Sequence, residues 1–198
     1  MAPEDFWPLV AFAAVSTITP GAATTLATAS GAHFGFRRSL PLMSGAAAGL
    51  AGVAAAAAAG LAGLLLAEPS LQIAMRAIGS AYLVWLAWRI GRSGPPRLRT
   101  NPGRPASFIG GVWLLLYNPK AWAMTLGAAA SFATLASGPI RLAVLLCLTF
   151  GVTAAASLSL WCIAGQLLAR TLRSDAQWRA LNAGLGVLLV VSIVPMWL

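Results

Sequence analysis

Long apolar runs alternate with short polar stretches along the chain. Each run is near or above the roughly 20 residues that cross a bilayer. They predict six helices, at about 6–28, 39–67, 71–92, 108–134, 138–168 and 179–198. The second and fifth are longer than a crossing needs, which predicts tilt or extension into the interface. Small residues fill the second, "SGAAAGLAGVAAAAAAGLAGLLLA". Gly is a poor helix former in water but common in membrane helices. The spacings Gly45/Gly49 and Gly52/Ala56/Gly60 let backbones approach closely, so helix packing is their expected use, rather than contact with a substrate.

The stretch 93–107, "SGPPRLRTNPGRPAS", breaks the pattern and predicts a solvated, irregular linker. It divides a single transmembrane domain, 1–198, into a first repeat of about 1–92 and a second of about 108–198. Three crossings per half give the halves opposite orientations, the inverted-repeat arrangement of many secondary transporters. The expected fold is therefore an all-α membrane protein with six transmembrane helices in two inverted three-helix repeats.

A local match supports that division. Span one carries "TITPGAAT" and span four "LYNPKAWA", with Pro20 and Pro119 standing 99 positions apart, half of 198. A weaker match aligns "AIGSAYLV" with "NAGLGVLL" and so Gly79 with Gly184, 105 positions on, which needs a loop of different length in the second half. Proline donates no N–H, which is expected to free the carbonyls of Ser16 and Leu115 and to break helices one and four. Pro20 lies roughly 21 Å into its span and Lys120 roughly 18 Å into its own, both near the middle of a core about 30 Å thick. Irregular backbone at that depth is tolerated only where protein or water covers it.

Composition narrows the class. The chain is 59% hydrophobic and 9% charged, with a mean hydropathy of +0.82. Soluble domains carry about 25% charged residues. The formal charge of +9 does not point to nucleic acid, because the arginines sit in short clusters between apolar runs. Arg37 and Arg38, then Arg92, Arg97, Arg99 and Arg104, then Arg170, Arg173 and Arg179 occupy alternate loops, with Arg89 at the edge of the second cluster. By the positive-inside rule those loops are cytoplasmic and both termini face outward. Their partner is the lipid bilayer, with anionic headgroups in reach. The acidic start "MAPEDFWPLV" is unlike a signal peptide, so the first span is expected to be retained. Trp7, Trp88, Trp178 and Trp197 near span ends suit the interface.

Catalytic chemistry is hard to assemble from these residues. No His, Cys or acidic group has metal spacing, no Ser/His/Asp set falls within the spans, and no glycine loop of the phosphate-binding type occurs. No enzyme activity, metal or cofactor is expected. Cys147 and Cys162 are 15 residues apart in one span, roughly 22 Å along a helix, too far to pair. His33, beside the first cytoplasmic loop, reads as an interfacial residue rather than a proton relay.

The breaks are the best candidate for a site. Each starts a new half-helix at midplane, with a positive dipole end and orphan N–H groups. Two such ends and the ammonium of Lys120, the chain's one lysine, make a pocket for an anionic group such as a carboxylate. A charge at helix centre costs roughly 2.5–3.5 kcal/mol on the insertion scale, and no acidic residue is predicted at that depth, so a substrate would supply the counter-ion. Prolines also kink helices for packing, and lysines also snorkel. Two prolines at equivalent depth, flanked by Thr19 and Asn118 that can bond freed backbone, favour a site. Tyr82, in "GSAYLVWLAWRI", either bonds in the pathway or packs.

"TPG" at 19–21, "SGAHFGFRRSLP" at 30–41, "GSAYLVWLAWR" at 79–89 and "FIGGVWLLLYNPKAW" at 108–122 together resemble the LysE/RhtB family of amino-acid exporters, in order and over essentially the whole chain. The resemblance implies a bacterial inner-membrane exporter of amino acids or related metabolites, driven by ion or proton gradients. It marks Thr19, Pro20 and Gly21, then Asn118, Pro119 and Lys120, with Gly45, Gly49, Gly79 and Tyr82 between. Many members continue the first motif as TPGP and a polar residue, where this chain has "TPGAAT". Exporters of basic amino acids often carry an aspartate in the second span, absent here. With no deep acidic residue to meet a cation or carry a proton, neutral zwitterionic amino acids such as threonine, homoserine or leucine-like compounds are the expected substrates. The competing readings are a membrane scaffold, which leaves the paired breaks unexplained, and a thiol electron carrier, which needs cysteines able to meet. Dimerisation through the glycine faces is left open.

Overall fold

The computed structural model describes residues 3–60, 69–92, 106–172, 174–191 and 193–194. Among them the chain is all α, with eight α-helices, one 3-10 turn and no strand. α1 (Pro3–Ile18) and α2 (Ala22–Phe34) are bent by 58° across the break between them. α3 (Phe36–Ala58) follows after Gly35, whose φ of 76° turns the chain without the strain a side chain would add there. α4 is Pro69–Gly91. α5 (Phe108–Leu116) and α6 (Pro119–Ser131) form the second broken helix. Ala133–Leu135 makes the 3-10 turn. α7 (Pro139–Thr171) and α8 (Asp175–Val191) complete the bundle.

Helix α3 and α7 are each long and apolar enough to cross a membrane, and the bent α1–α2 pair is a third such segment when its two halves are counted as one span. α7 has 33 residues, about 50 Å of helix, so it outruns the bilayer core as its apolar run predicts. α3 starts three residues earlier than the apolar pattern alone places it. The far end of that run, 61–68, lies outside the described residues, as do most of the 93–107 linker, Arg173 and Trp197.

The apolar surface is turned outward. Ile140, Val144, Leu148 and Val152, one per turn of α7, are all more than half exposed, as suits a face turned to acyl chains. Lipid removes the hydrophobic drive between helices, so association depends on close fit. Glycines supply it. A Cβ on Gly31 would strike the carbonyl of Cys162, and one on Gly165 that of Thr28, where α2 crosses α7. Gly45 meets the carbonyl of Phe108, and Gly111 that of Leu42, where α3 crosses α5. Gly49 lies against Val112 at the same crossing. Gly52 and Gly60, on the other arm of the predicted glycine face, meet no described neighbour.

Helix α3 and α7 lie side by side and antiparallel. The Phe36 N–H donates to Gln166 Oε1 at 3.1 Å, and fifteen residues on, Gly151 lies against the Cβ of Ala51. α4 packs on α8. There Gly79 is buried, and Gly184 meets no described neighbour. The glycine in contact is Gly186, 3.0 Å from the Ala87 carbonyl measured from its Cβ position.

Two side chains differ from expectation at the span ends. Trp178 is 6% exposed, packed 5.4 Å from the His33 ring, not displayed at an interface. His33 itself is half-buried, with Nε2 2.9 Å from Oδ1 of the fully buried Asn182. It ties α2 to α8. Trp7 and Trp88 are exposed, the latter beneath the Arg92 guanidinium, and fit the interfacial pattern. Both cysteines are on α7, Cys162 fully buried and Cys147 partly so.

Candidate functional site

The first break begins where Pro20 offers no N–H. α1 ends with Thr19 bonded by both its N–H (3.1 Å) and its hydroxyl (2.6 Å) to the Val15 carbonyl. The Gly21 N–H turns forward to Thr24 Oγ1 at 2.8 Å, and that hydroxyl donates back to the Gly21 carbonyl. Three successive carbonyls, of Thr17, Ile18 and Thr19, are thereby left outside the helical ladder. Each is claimed by a side chain from the second half of the chain. Ser157 Oγ donates to Thr17 at 2.8 Å, Trp161 Nε1 to Ile18 at 3.1 Å and Lys120 Nζ to Thr19 at 3.1 Å. Ser157 and Trp161 are four residues apart, hence on one face of α7.

The second break is tighter. The Asn118 N–H reaches the Leu115 carbonyl at 3.2 Å, and Trp122 Nε1 holds that of Leu116 at 2.8 Å. Asn118 caps α6: its Oδ1 accepts from the Lys120 N–H at 3.0 Å, with Pro119 in the first helical position, where a missing N–H is harmless. The expected use of Thr19 and Asn118 is thus half met. Asn118 bonds backbone across its own break, whereas Thr19 bonds back into α1. The Leu115 carbonyl is also satisfied locally, because a turn of 3-10 type replaces the lost bond.

Lys120 projects from the second break onto the first. Its ammonium lies beside Gly21, 3.5 Å from where a Cβ would sit. Gly21 has an extended backbone, φ −174°, which any residue adopts. A side chain at 21 would sit in ordinary contact with the end of the lysine. The ammonium has three donors, of which Thr19 takes one. Asp175, at the start of α8, is the one acidic residue whose side chain lies within the described set, so no described carboxylate neighbours the lysine.

Both breaks line one cavity of about 40 Å³, room for a few waters. Ser16, Thr19, Gly21 and Ala22 line it from the first half, and Leu115, Asn118, Lys120 and Ala121 from the second. Each of the second set stands 99 positions after its counterpart. Ala46 and Leu50 of α3 and Ala154 and Leu158 of α7 also line it, paired at a spacing of 108, while Thr17, Ala23, Thr24 and Met124 complete the lining without such counterparts. Pro20 and Pro119 shape the cavity without lining it. Tyr82 does not line it either. It stacks on Trp85, ring centroids 5.9 Å apart. Among the described residues no group of His, Cys, Asp or Glu is placed to hold a metal.

Sequence reasoning missed Ser157 and Trp161. A serine and a tryptophan in an apolar run read as packing, and only the bend of α1 against α7 shows what they do. Removing their donors should matter. Ser157→Ala leaves the Thr17 carbonyl buried and unbonded, a cost on the order of 1–3 kcal/mol. Ser157→Ala with Trp161→Phe should lower the detergent-solubilised protein's melting temperature beyond either alone, since each removes the donor to a different carbonyl of the same turn. Unchanged melting in both single variants would remove these bonds from the account.

The LysE type translocator family profile matches residues 14–193. Similar proteins include the cysteine/O-acetylserine efflux protein of Escherichia coli (strain K12), 29% identical over 195 residues, which cover 96% of this chain and 94% of the relative. Relatives of the same name occur in Shigella sonnei (strain Ss046), 29% identical, and Salmonella typhi, 28% identical, with the same coverage. No solved structure matches the chain.

Proposed function

The chain belongs to the LysE type translocator family, and from that premise and the two facing breaks we propose that it exports a small neutral amino acid or close derivative across the bacterial inner membrane. It is a translocator and not an enzyme. Its substrate class follows from the cavity, whose single charge is the Lys120 ammonium, and from the relatives named for cysteine and O-acetylserine efflux. The observation that carries the proposal is the Lys120 contact with Thr19: one break places a cation on the other, with no acidic neighbour among the described residues. A substrate carboxylate takes the ammonium's remaining donors, and the hydroxyl-bearing turns of Thr17 and Thr24 offer the substrate ammonium oxygen acceptors.

Transport proceeds by alternating access about this cavity. Six spans in two inverted repeats, 1–92 and 108–198, give the lining its paired spacings of 99 and 108, and that pairing supports a pseudo-twofold axis through the cavity. At about 40 Å³ the cavity is too small for an amino acid, so loading requires α1–α2 and α5–α6 to part. The arginine-rich loops face the cytoplasm and both termini the periplasm.

The experiment is efflux. Cells loaded with mixed dipeptides and expressing the protein should release one or a few neutral amino acids faster than cells without it, by mass spectrometry of medium and cytosol. Release of none of them would remove amino acids as substrates and favour the scaffold reading.

A further inference from the structure

The antiparallel register of α3 and α7 has a consequence for selectivity. The contacts Phe36 with Gln166 and Ala51 with Gly151 fix that register at two points. It places Ala46 within about one helical turn of Ala154. Both alanines line the cavity and both are nearly fully buried, at 2% and 4% exposed. Four residues on from each, on the same face, stand Leu50 and Leu158, again buried and again lining. Two Ala–Leu pairs, one from each half of the chain, thus form part of the cavity's apolar wall, together with Leu115 and Met124.

These walls resist separation. Gly151 carries no side chain, and a Cβ there would come within 3.3 Å of the Ala51 methyl, so the two helices sit as close as small residues allow. Close-packed interiors transmit volume changes of single methylenes. Beyond the room the alanines leave, a larger occupant meets the side chains of Leu50 and Leu158. Met124, half-buried on α6, is the most adaptable apolar chain in the lining.

We infer that Ala46, Leu50, Ala154 and Leu158 are the specificity-determining residues, which set an upper limit on the length of the transported side chain by shape. This rests on the reading of the cavity as the substrate site. Lys120 at the polar side would hold what all amino acids share, and the Ala–Leu walls would sort what differs. A pocket of this kind discriminates roughly tenfold or more per methylene.

The test is a competition. Proteoliposomes carrying the full chain are offered an equimolar mixture of alanine, serine, cysteine, methionine and leucine, and the ratios of their transport rates are read within one preparation. Such ratios do not depend on the amount of folded protein. Leu158→Ala should raise the ratio of leucine to serine by roughly tenfold. Ala154→Leu should lower the ratio of cysteine to alanine, and Ala154→Val, the milder change, should do so by less. Wild-type transport with the same ratios in Leu158→Ala and Ala154→Val would overturn the inference and leave the site standing. No transport of any of the five by the wild type would overturn the site and the inference together.

Discussion

Lys120→Met is expected to weaken the transported amino acid's apparent affinity by about ten- to a hundredfold, while protein still accumulates in the membrane. A hydrogen bond to a charged group is worth roughly 1.5–3 kcal/mol, which sets the range. The carboxylate of the substrate loses the one cation that lines the cavity. The fold loses only the bond from Nζ to the Thr19 carbonyl, which lies on the exposed side of the break. Methionine matches the unbranched chain of lysine and keeps its packing against Gly21. Lys120→Arg retains the charge and should recover part of the affinity, though its planar fork does not reproduce the ammonium's geometry. Concentration dependence of uptake in proteoliposomes separates the effects. A higher half-saturation with residual maximal rate is the expected signature.

Gly165→Val is expected to prevent folding. The Cβ of any residue at 165 would collide with the Thr28 carbonyl, and at Gly31 with that of Cys162. Overpacking where side chains can yield costs about 1–3 kcal/mol. Here the obstacle is backbone of the facing helix, so α2 must leave α7, taking the bonds of Ser157 and Trp161 to the first break with it. Gly111→Val should act likewise at the crossing of α3 and α5. Gly52→Val, with no described neighbour at that position of α3, should stay within about 0.5 kcal/mol. The yield of monodisperse protein after detergent extraction checks all three. Equal yields from Gly165→Val and Gly52→Val would contradict the packing described.

The breaks were legible because proline acts locally. Pro20 and Pro119 remove a donor wherever they stand, and the structure interrupts both helices there. The apolar runs gave the helices for the same reason, since each run must satisfy its own backbone in lipid. What local chemistry does not encode is which partner meets a freed group. The carbonyls of Thr17 and Ile18 are served by Ser157 and Trp161, about 140 residues away in sequence, and nothing near Pro20 announces them. The same limit explains Trp178 and His33. Proximity to an arginine-rich loop suggests an interface, but the packing of α2 on α8 buries one and half-buries the other. Among the glycines, spacing identified a small-residue face on α3 without showing that Gly45 and Gly49 use it and Gly52 does not. Gly31 and Gly165 stand too far apart in the chain for spacing to relate them.

The central claim is that Lys120 holds a carboxylate between the two breaks. The most direct measurement compares two solutes in proteoliposomes: an amino acid identified by efflux, and the amine that lacks only its carboxylate. The wild type should transport the amino acid at least about tenfold better, and Lys120→Met should lose most of that preference. A wild type that transports both equally, or a Lys120→Met variant with the preference intact, would contradict the account.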